Sequence, residues 1–185
     1  MISIGELKKG NSIEVDGRLL QVLHVQHVKT KKSAVYKVKV KDFRTGSITE
    51  KSFNASEKLK EADVERGALQ YLYKENTQHI FMNNESYEQV SINEELIKDE
   101  MQYIIEGQSI QGIMIGDEIL GLELPPAVVL TVSQSDPGIK GDTSSGATKP
   151  AILETGLTIN VPLFINIEDK LKVSTDTGEY LERIS

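Results

Sequence analysis

The sequence predicts an all-β protein built as three small barrels in a row, and three observations predict it. Short segments that alternate apolar and polar residues recur at roughly ten-residue spacing along most of the chain. Apolar residues never gather into the long runs that one large common core needs, although 185 residues would suffice for one. Two stretches interrupt the strand pattern, the polar, mixed-charge run from Lys58 to Arg66 and the pair Pro125-Pro126. They divide the chain into modules at 1–62, 63–126 and 127–185, each about sixty residues long.

In the first module, Tyr36, Val38 and Val40 alternate with Val35, Lys37, Lys39 and Lys41. Successive strand residues point to opposite faces, so one face of this strand supplies core and the other is a basic stripe of Lys37, Lys39 and Lys41. Leu19 to Val28 reads as its partner, Ser47 to Phe53 as a third strand, and Arg44-Thr45-Gly46 as the turn between the second and third. The hairpin from Leu20 to Phe43 turns at Lys29-Thr30-Lys31-Lys32-Ser33.

The second module begins with strands at Leu69–Tyr73 and His79–Asn83. A helix follows. Asn93 is placed to cap it, Glu94 and Glu95 sit in its first turn where the dipole favours acids, and Leu96, Ile97, Met101 and Ile104 recur at helical spacing. Strands at Ser109–Ile115 and Glu118–Glu123 complete the order expected of an OB-type barrel. The third module reads as strands at Ala127–Gln134, Leu157–Val161, Lys170–Thr175 and Glu179–Ile184, with no sequence repeat relating it to the second. Pro125-Pro126 makes the joint between them stiff.

Charge points to function. Positions 1–62 carry 13 cationic against 7 acidic side chains, and the remainder carries 8 against 21, so the ends differ by about +6 to −13. An acidic molecule cannot coat nucleic acid along its length. A single cationic prong can enter a phosphate-lined pocket while the acidic body limits non-specific attachment.

Other chemistries are excluded by composition. There is no cysteine, which removes disulfides and thiolate metal sites. His24 and His27 form an HxxH pair, but their odd offset on a strand sends them to opposite faces, so no metal site is expected there. Gly141 to Lys149 resembles a phosphate loop only superficially, because Lys149 does not follow the second glycine directly and Pro150 comes next. The segment reads as a surface loop or as a nucleic-acid contact through Gly141, Asp142, Thr143, Gly146 and Lys149. No catalytic residues and no cofactor are expected, and the chain is not expected to be an enzyme. No apolar stretch follows a basic start at the N-terminus, and none approaches the ~20 residues that span a bilayer, so a cytoplasmic protein without membrane contact is expected.

Specific motifs then identify a family. Ser135-Asp136-Pro137-Gly138-Ile139-Lys140-Gly141-Asp142-Thr143, Gly146 and Lys149-Pro150-Ala151 lead into Leu153-Glu154-Thr155-Gly156 and Asn160-Val161-Pro162-Leu163-Phe164. Earlier come Tyr71-Leu72-Tyr73, Phe81-Met82-Asn83-Asn84-Glu85 and Tyr87-Glu88-Gln89, and later Thr177-Gly178-Glu179-Tyr180. With these motifs the chain resembles bacterial elongation factor P over its whole length. One departure is Glu168, where the family signature ends in glycine.

The resemblance implies an elongated, tRNA-like shape, with an N-terminal SH3-like (KOW-like) barrel followed by two OB domains. It implies a monomeric elongation factor that binds the 70S ribosome beside the peptidyl-site tRNA and relieves stalling at consecutive prolines. Lys29, Lys31, Lys32 and Ser33 then form the tip that reaches the tRNA acceptor end. The Gly141 to Lys149 loop contacts the exit-site mRNA codon, and Tyr180 and Arg183 are placed to touch tRNA or to pack on the surface. In many family members a Lys or Arg at this tip is lengthened by a covalent modification, so the resemblance implies a lysine-modifying enzyme as a candidate partner here. Counting from Lys29 aligns Lys32 with the modified position, and counting back from Ala34 aligns Lys31. The usual Pro-Gly-Lys-Gly tip is here Thr30-Lys31-Lys32-Ser33, about one residue shorter and without its glycines. Two alternatives are an elongation factor P-like paralogue, which lacks the Gly-Asp-Thr loop, and a free OB-fold single-strand RNA-binding protein. The latter needs exposed stacking aromatics, and the chain has no Trp.

Overall fold

The computed structural model describes residues 1–138 and 146–185. Among these residues sixteen strands form three antiparallel sheets, each curled around its own core. The first sheet contains β1 (Ile2–Ser3), β2 (Ser12–Val15), β3 (Arg18–Lys29), β4 (Ala34–Asp42), β5 (Ile48–Asn54) and β6 (Lys58–Glu61), ordered β1-β6-β2-β3-β4-β5. Its core is Ile4, Leu7, Ile13, Leu20, Val22, Val38, Val40, Phe53 and Leu59. Sequence patterning found β3 to β5 but not β1, β2 or β6. These are short, and in β6 only Leu59 of Lys58–Glu61 is buried, too little for an alternation to register.

The second sheet holds β7 (Glu65–Glu75), β8 (Gln78–Asn83), β9 (Gln89–Asn93), β10 (Ser109–Ile115) and β11 (Glu118–Glu123), ordered β11-β10-β7-β8-β9. Between β9 and β10 the expected helix is present in part. Asn93 caps it, its side-chain oxygen accepting the Glu95 N–H at 2.9 Å, and α1 runs Glu94–Ile97. Lys98 and Asp99 keep helical dihedrals, but the hydrogen bonding then tightens into a 3-10 turn at Glu100–Tyr103. This places both Ile97 and Ile104 in the second core with Leu69, Tyr71 and Phe81.

The third sheet comprises β12 (Ala127–Ser135), β13 (Thr148–Leu153), β14 (Thr158–Pro162), β15 (Lys170–Ser174) and β16 (Tyr180–Ile184), ordered β14-β13-β12-β15-β16. Numbering strands within each module gives 5-4-1-2-3 for the second and 3-2-1-4-5 for the third, one order read from opposite edges. The two modules share an architecture that their sequences do not display as a repeat. β13 was missed because it contains Pro150, which weakens a strand reading.

A fourth apolar cluster joins the first two modules: Phe43, Ile113 and Leu120, flanked by Leu19, Val64 and Ile115. The turn after β4 is shaped to reach it. Asp42 Oδ1 accepts the N–H of Arg44 (2.8 Å) and of Thr45 (3.1 Å), and Gly46, at φ +72°, closes the turn against Leu96. The third module meets the second where the Thr155 hydroxyl donates to the Gln102 carbonyl (2.6 Å) and Tyr103 and Ile105 pack on the third core. Lys9 pairs with Asp176, linking first module to third.

Candidate nucleic-acid interface

β3 and β4 form the hairpin that carries the basic turn, and their register is continuous from Leu20↔Asp42 to Lys29↔Ala34 with one bulge between Val22 and His24. Every residue from Lys29 to Ser33 is exposed. The turn is closed by hydroxyl groups. The Thr30 N–H donates to the Ser33 carbonyl (3.0 Å), the Thr30 Oγ1 donates to the same carbonyl (2.6 Å), and the Ser33 N–H donates to Thr30 Oγ1 (3.2 Å). Lys31 and Lys32 sit between these closures, and neither has a positive φ. The glycines of the usual tip are replaced by a turn that ordinary L residues can make. Both ammonium groups project from the end of a ladder, in a segment with no acidic side chain from Lys29 to Lys41.

The basic stripe divides. Val38 and Val40 are buried while Lys37 and Lys39 are exposed, as alternation requires. Lys37 pairs loosely with Glu50 at 3.7 Å, and Lys39 lies across from Glu50 in the β4–β5 register. Lys41, expected on the same free face, is elsewhere employed. Its Nζ donates to the Leu96 carbonyl at 2.9 Å and to Glu100 Oε1 at 3.1 Å, and its side chain is 13 % exposed. The base of β4 runs into the junction with the second module, where the face that is solvent-lit at Lys37 is covered by α1 and the 3-10 turn. Lys41 is a clasp between modules, not part of an open stripe.

The histidines occupy opposite faces, His24 across from Lys39 and His27 across from Tyr36. Among the described residues no group of three or more His, Asp or Glu is placed to hold a metal ion. His27 and Tyr36 form a stack that the sequence reading missed: their ring centroids lie 4.4 Å apart with planes 7° from parallel. The signal for it is the register, since counting back from Lys29↔Ala34 places the two residues directly opposite.

Of the second predicted contact region, Gly141, Asp142 and Thr143 lie outside the described residues. Gly146 is exposed with φ +97°. Lys149 is buried at 7 % exposure, and its Nζ donates to the Asp136 carbonyl at 2.6 Å. Nearby, a Cβ on Gly138 would meet the Leu163 carbonyl oxygen at 2.6 Å, so only glycine fits where this strand end crosses the β14–β15 connection. Tyr180 is partly buried against the third core. Arg183 stands 5.2 Å above the Phe164 ring and 3.8 Å from Asp169.

The acidity is concentrated in the middle. Residues 63–126 carry 3 cationic against 13 acidic side chains, so the net positive charge of the chain lies in the first module.

Fold and site define a chain of small β-barrels, one SH3-like and two OB-like, with a cationic prong on the first. Three family models match in order: the elongation factor P KOW-like domain over residues 3–59, its OB domain over 64–122, and elongation factor P, C-terminal, over 128–183. The chain belongs to the elongation factor P family, and it is a translation factor and not an enzyme. Two solved structures are similar over part of it. Eukaryotic translation initiation factor 5A from Methanococcus jannaschii is 19 % identical, with 65 % of this chain and 86 % of that one covered at a TM-score of 0.46. A translation initiation factor eif-5a family protein from Naegleria fowleri is 16 % identical, with 66 % and 94 % covered at a TM-score of 0.41. No helix of the described residues is long and apolar enough to cross a membrane.

Proposed function

We propose that this protein binds the ribosome beside the peptidyl-site tRNA and promotes peptide-bond formation at consecutive prolines by positioning the tRNA acceptor end. The observation that carries this reading is the prong itself: an exposed lysine turn at the end of a twelve-residue strand, on a protein that is otherwise acidic. Proline is a constrained secondary amine, and a proline-ended nascent chain is poorly placed for attack. Holding the acceptor end in a reactive geometry removes an orientational penalty, and the factor needs to supply no acid, base or nucleophile. The ribosome performs the chemistry.

Lys31 and Lys32 are the residues that reach furthest, and one of them is the target of a lysine-modifying enzyme; a longer amine extends the reach that the shorter turn gives up. Lys29, Lys37 and Lys39 contribute attraction to phosphate along the way. Gly141, Asp142 and Thr143 contact the exit-site codon, while Lys149 is engaged with the Asp136 carbonyl. The protein acts as a monomer in the cytoplasm. Co-sedimentation with 70S ribosomes in moderate salt tests the reading: it predicts a stable ribosome-bound fraction, and affinity for naked RNA without ribosome association would contradict it.

A further inference from the structure

We propose that His27 is a nucleobase-stacking residue, so that the prong carries an aromatic face as well as a cationic one. The two faces follow from the register. His24 and Gln26 lie across from Lys39 and Lys37 on one side, while Val25 and His27 lie across from Val38 and Tyr36 on the other. The second side is continuous with the first core, and Tyr36 is anchored there, partly buried against it. Tyr36 covers one face of the imidazole at 4.4 Å, and His27 itself is exposed. The ring is thus held in place from behind, which lowers the ordering cost of stacking something on its other side.

Two positions further along the same strand face stands Lys29, about 7 Å away. An aromatic surface followed by cations at that spacing suits an unpaired nucleotide, with its base on His27 and its phosphates toward Lys29, Lys31 and Lys32. A duplex would not fit the arrangement, since its bases are already stacked on one another. On the ribosomal reading above, on which this inference rests, the occupant is the unpaired 3′ end of the peptidyl-site tRNA.

The test uses the full-length protein and 70S ribosomes whose peptidyl-site tRNA carries 2-aminopurine in its unpaired 3′ end, because stacking quenches that fluorophore. Wild-type protein and His27→Phe are expected to quench it. His27→Ala is expected to sediment with ribosomes, lose the quench, and bind more weakly by on the order of tenfold. Equal quenching by His27→Ala and wild type, or none by a wild-type protein that sediments, overturns the stacking role alone. Failure of the wild type to sediment overturns the ribosomal reading and the stack with it, and the sedimentation lane identifies that case.

Discussion

The ammonium of Lys41 lies 3.1 Å from the carboxylate of Glu100, and both side chains are largely shielded from water, at 13 % and 16 % exposure. The pair joins the base of the prong to the second module. The Leu96 carbonyl accepts a second N–H of the same ammonium at 2.9 Å, so the lysine is held by two partners, one on α1 and one on the 3-10 turn. A shielded pair is expensive to break from one side, because the remaining charge stays without its counterpart.

Lys41→Met is therefore expected to destabilise the protein by about 2–3 kcal/mol, and Lys41→Met with Glu100→Leu to recover most of that loss. Urea denaturation of the two single variants and the double variant measures the coupling. An additive double variant would show that the pair contributes nothing of its own.

Glu168 holds a left-handed backbone, at φ +72°, where the family signature has glycine. Its N–H nevertheless donates to the Val132 carbonyl at 2.9 Å, so the surrounding structure fixes the conformation. A side chain in this region costs roughly 1–2 kcal/mol, offset in part by the greater freedom of an unfolded glycine. Glu168→Gly is expected to raise stability by about 0.5–1 kcal/mol, and Glu168→Ala to give no such gain, which thermal melting would resolve.

His79 is buried, with Nδ1 3.0 Å from the Tyr71 hydroxyl. Burial, and next the charge of Lys74, hold its pKa below the usual imidazole range, while Glu94 acts in the opposite sense. The unfolded chain takes up a proton near pH 6.5 and the folded chain resists it. The stability associated with a neutral His79 is therefore present above about pH 6.5 and declines as pH falls below it. His79→Gln should flatten the dependence of the urea midpoint between about pH 7 and pH 5. An unchanged slope would assign the acid sensitivity to other groups.

The turn makes a chemical prediction as well. Mass spectrometry of the protein from its native cells, over the peptide from Lys29 to Lys37, is expected to show added mass on Lys31 or Lys32. Loss of that mass in only one of Lys31→Arg and Lys32→Arg would choose between them. An unmodified peptide would mean that a bare ammonium acts.

How far the sequence reached depended on whether one strand face was buried. β4 was legible because Val38 and Val40 are buried while Lys37 and Lys39 are not. β6 was not legible, because Leu59 alone of its four residues turns inward. Helical spacing of Ile97 and Ile104 predicts one helix through both, yet the chain reaches the same core by changing from α to 3-10 hydrogen bonding between them. At the site, the exposure of Lys31 and Lys32 follows from a polar turn between strands. The diversion of Lys41 and the burial of Lys149 do not, because each depends on a carbonyl brought close by tertiary packing: Leu96 for one and Asp136 for the other.

The proposed action of the lysine turn on the peptidyl-site tRNA at prolines is open to a kinetic test. The most direct measurement is the rate of peptide-bond formation between consecutive prolines on reconstituted ribosomes, with the wild-type protein and with Lys31→Ala/Lys32→Ala. The wild type is expected to accelerate the reaction on proline-rich templates alone, and the double variant to lose that acceleration while still sedimenting with ribosomes. A double variant as active as the wild type, or a wild type that accelerates nothing, would contradict the proposed action.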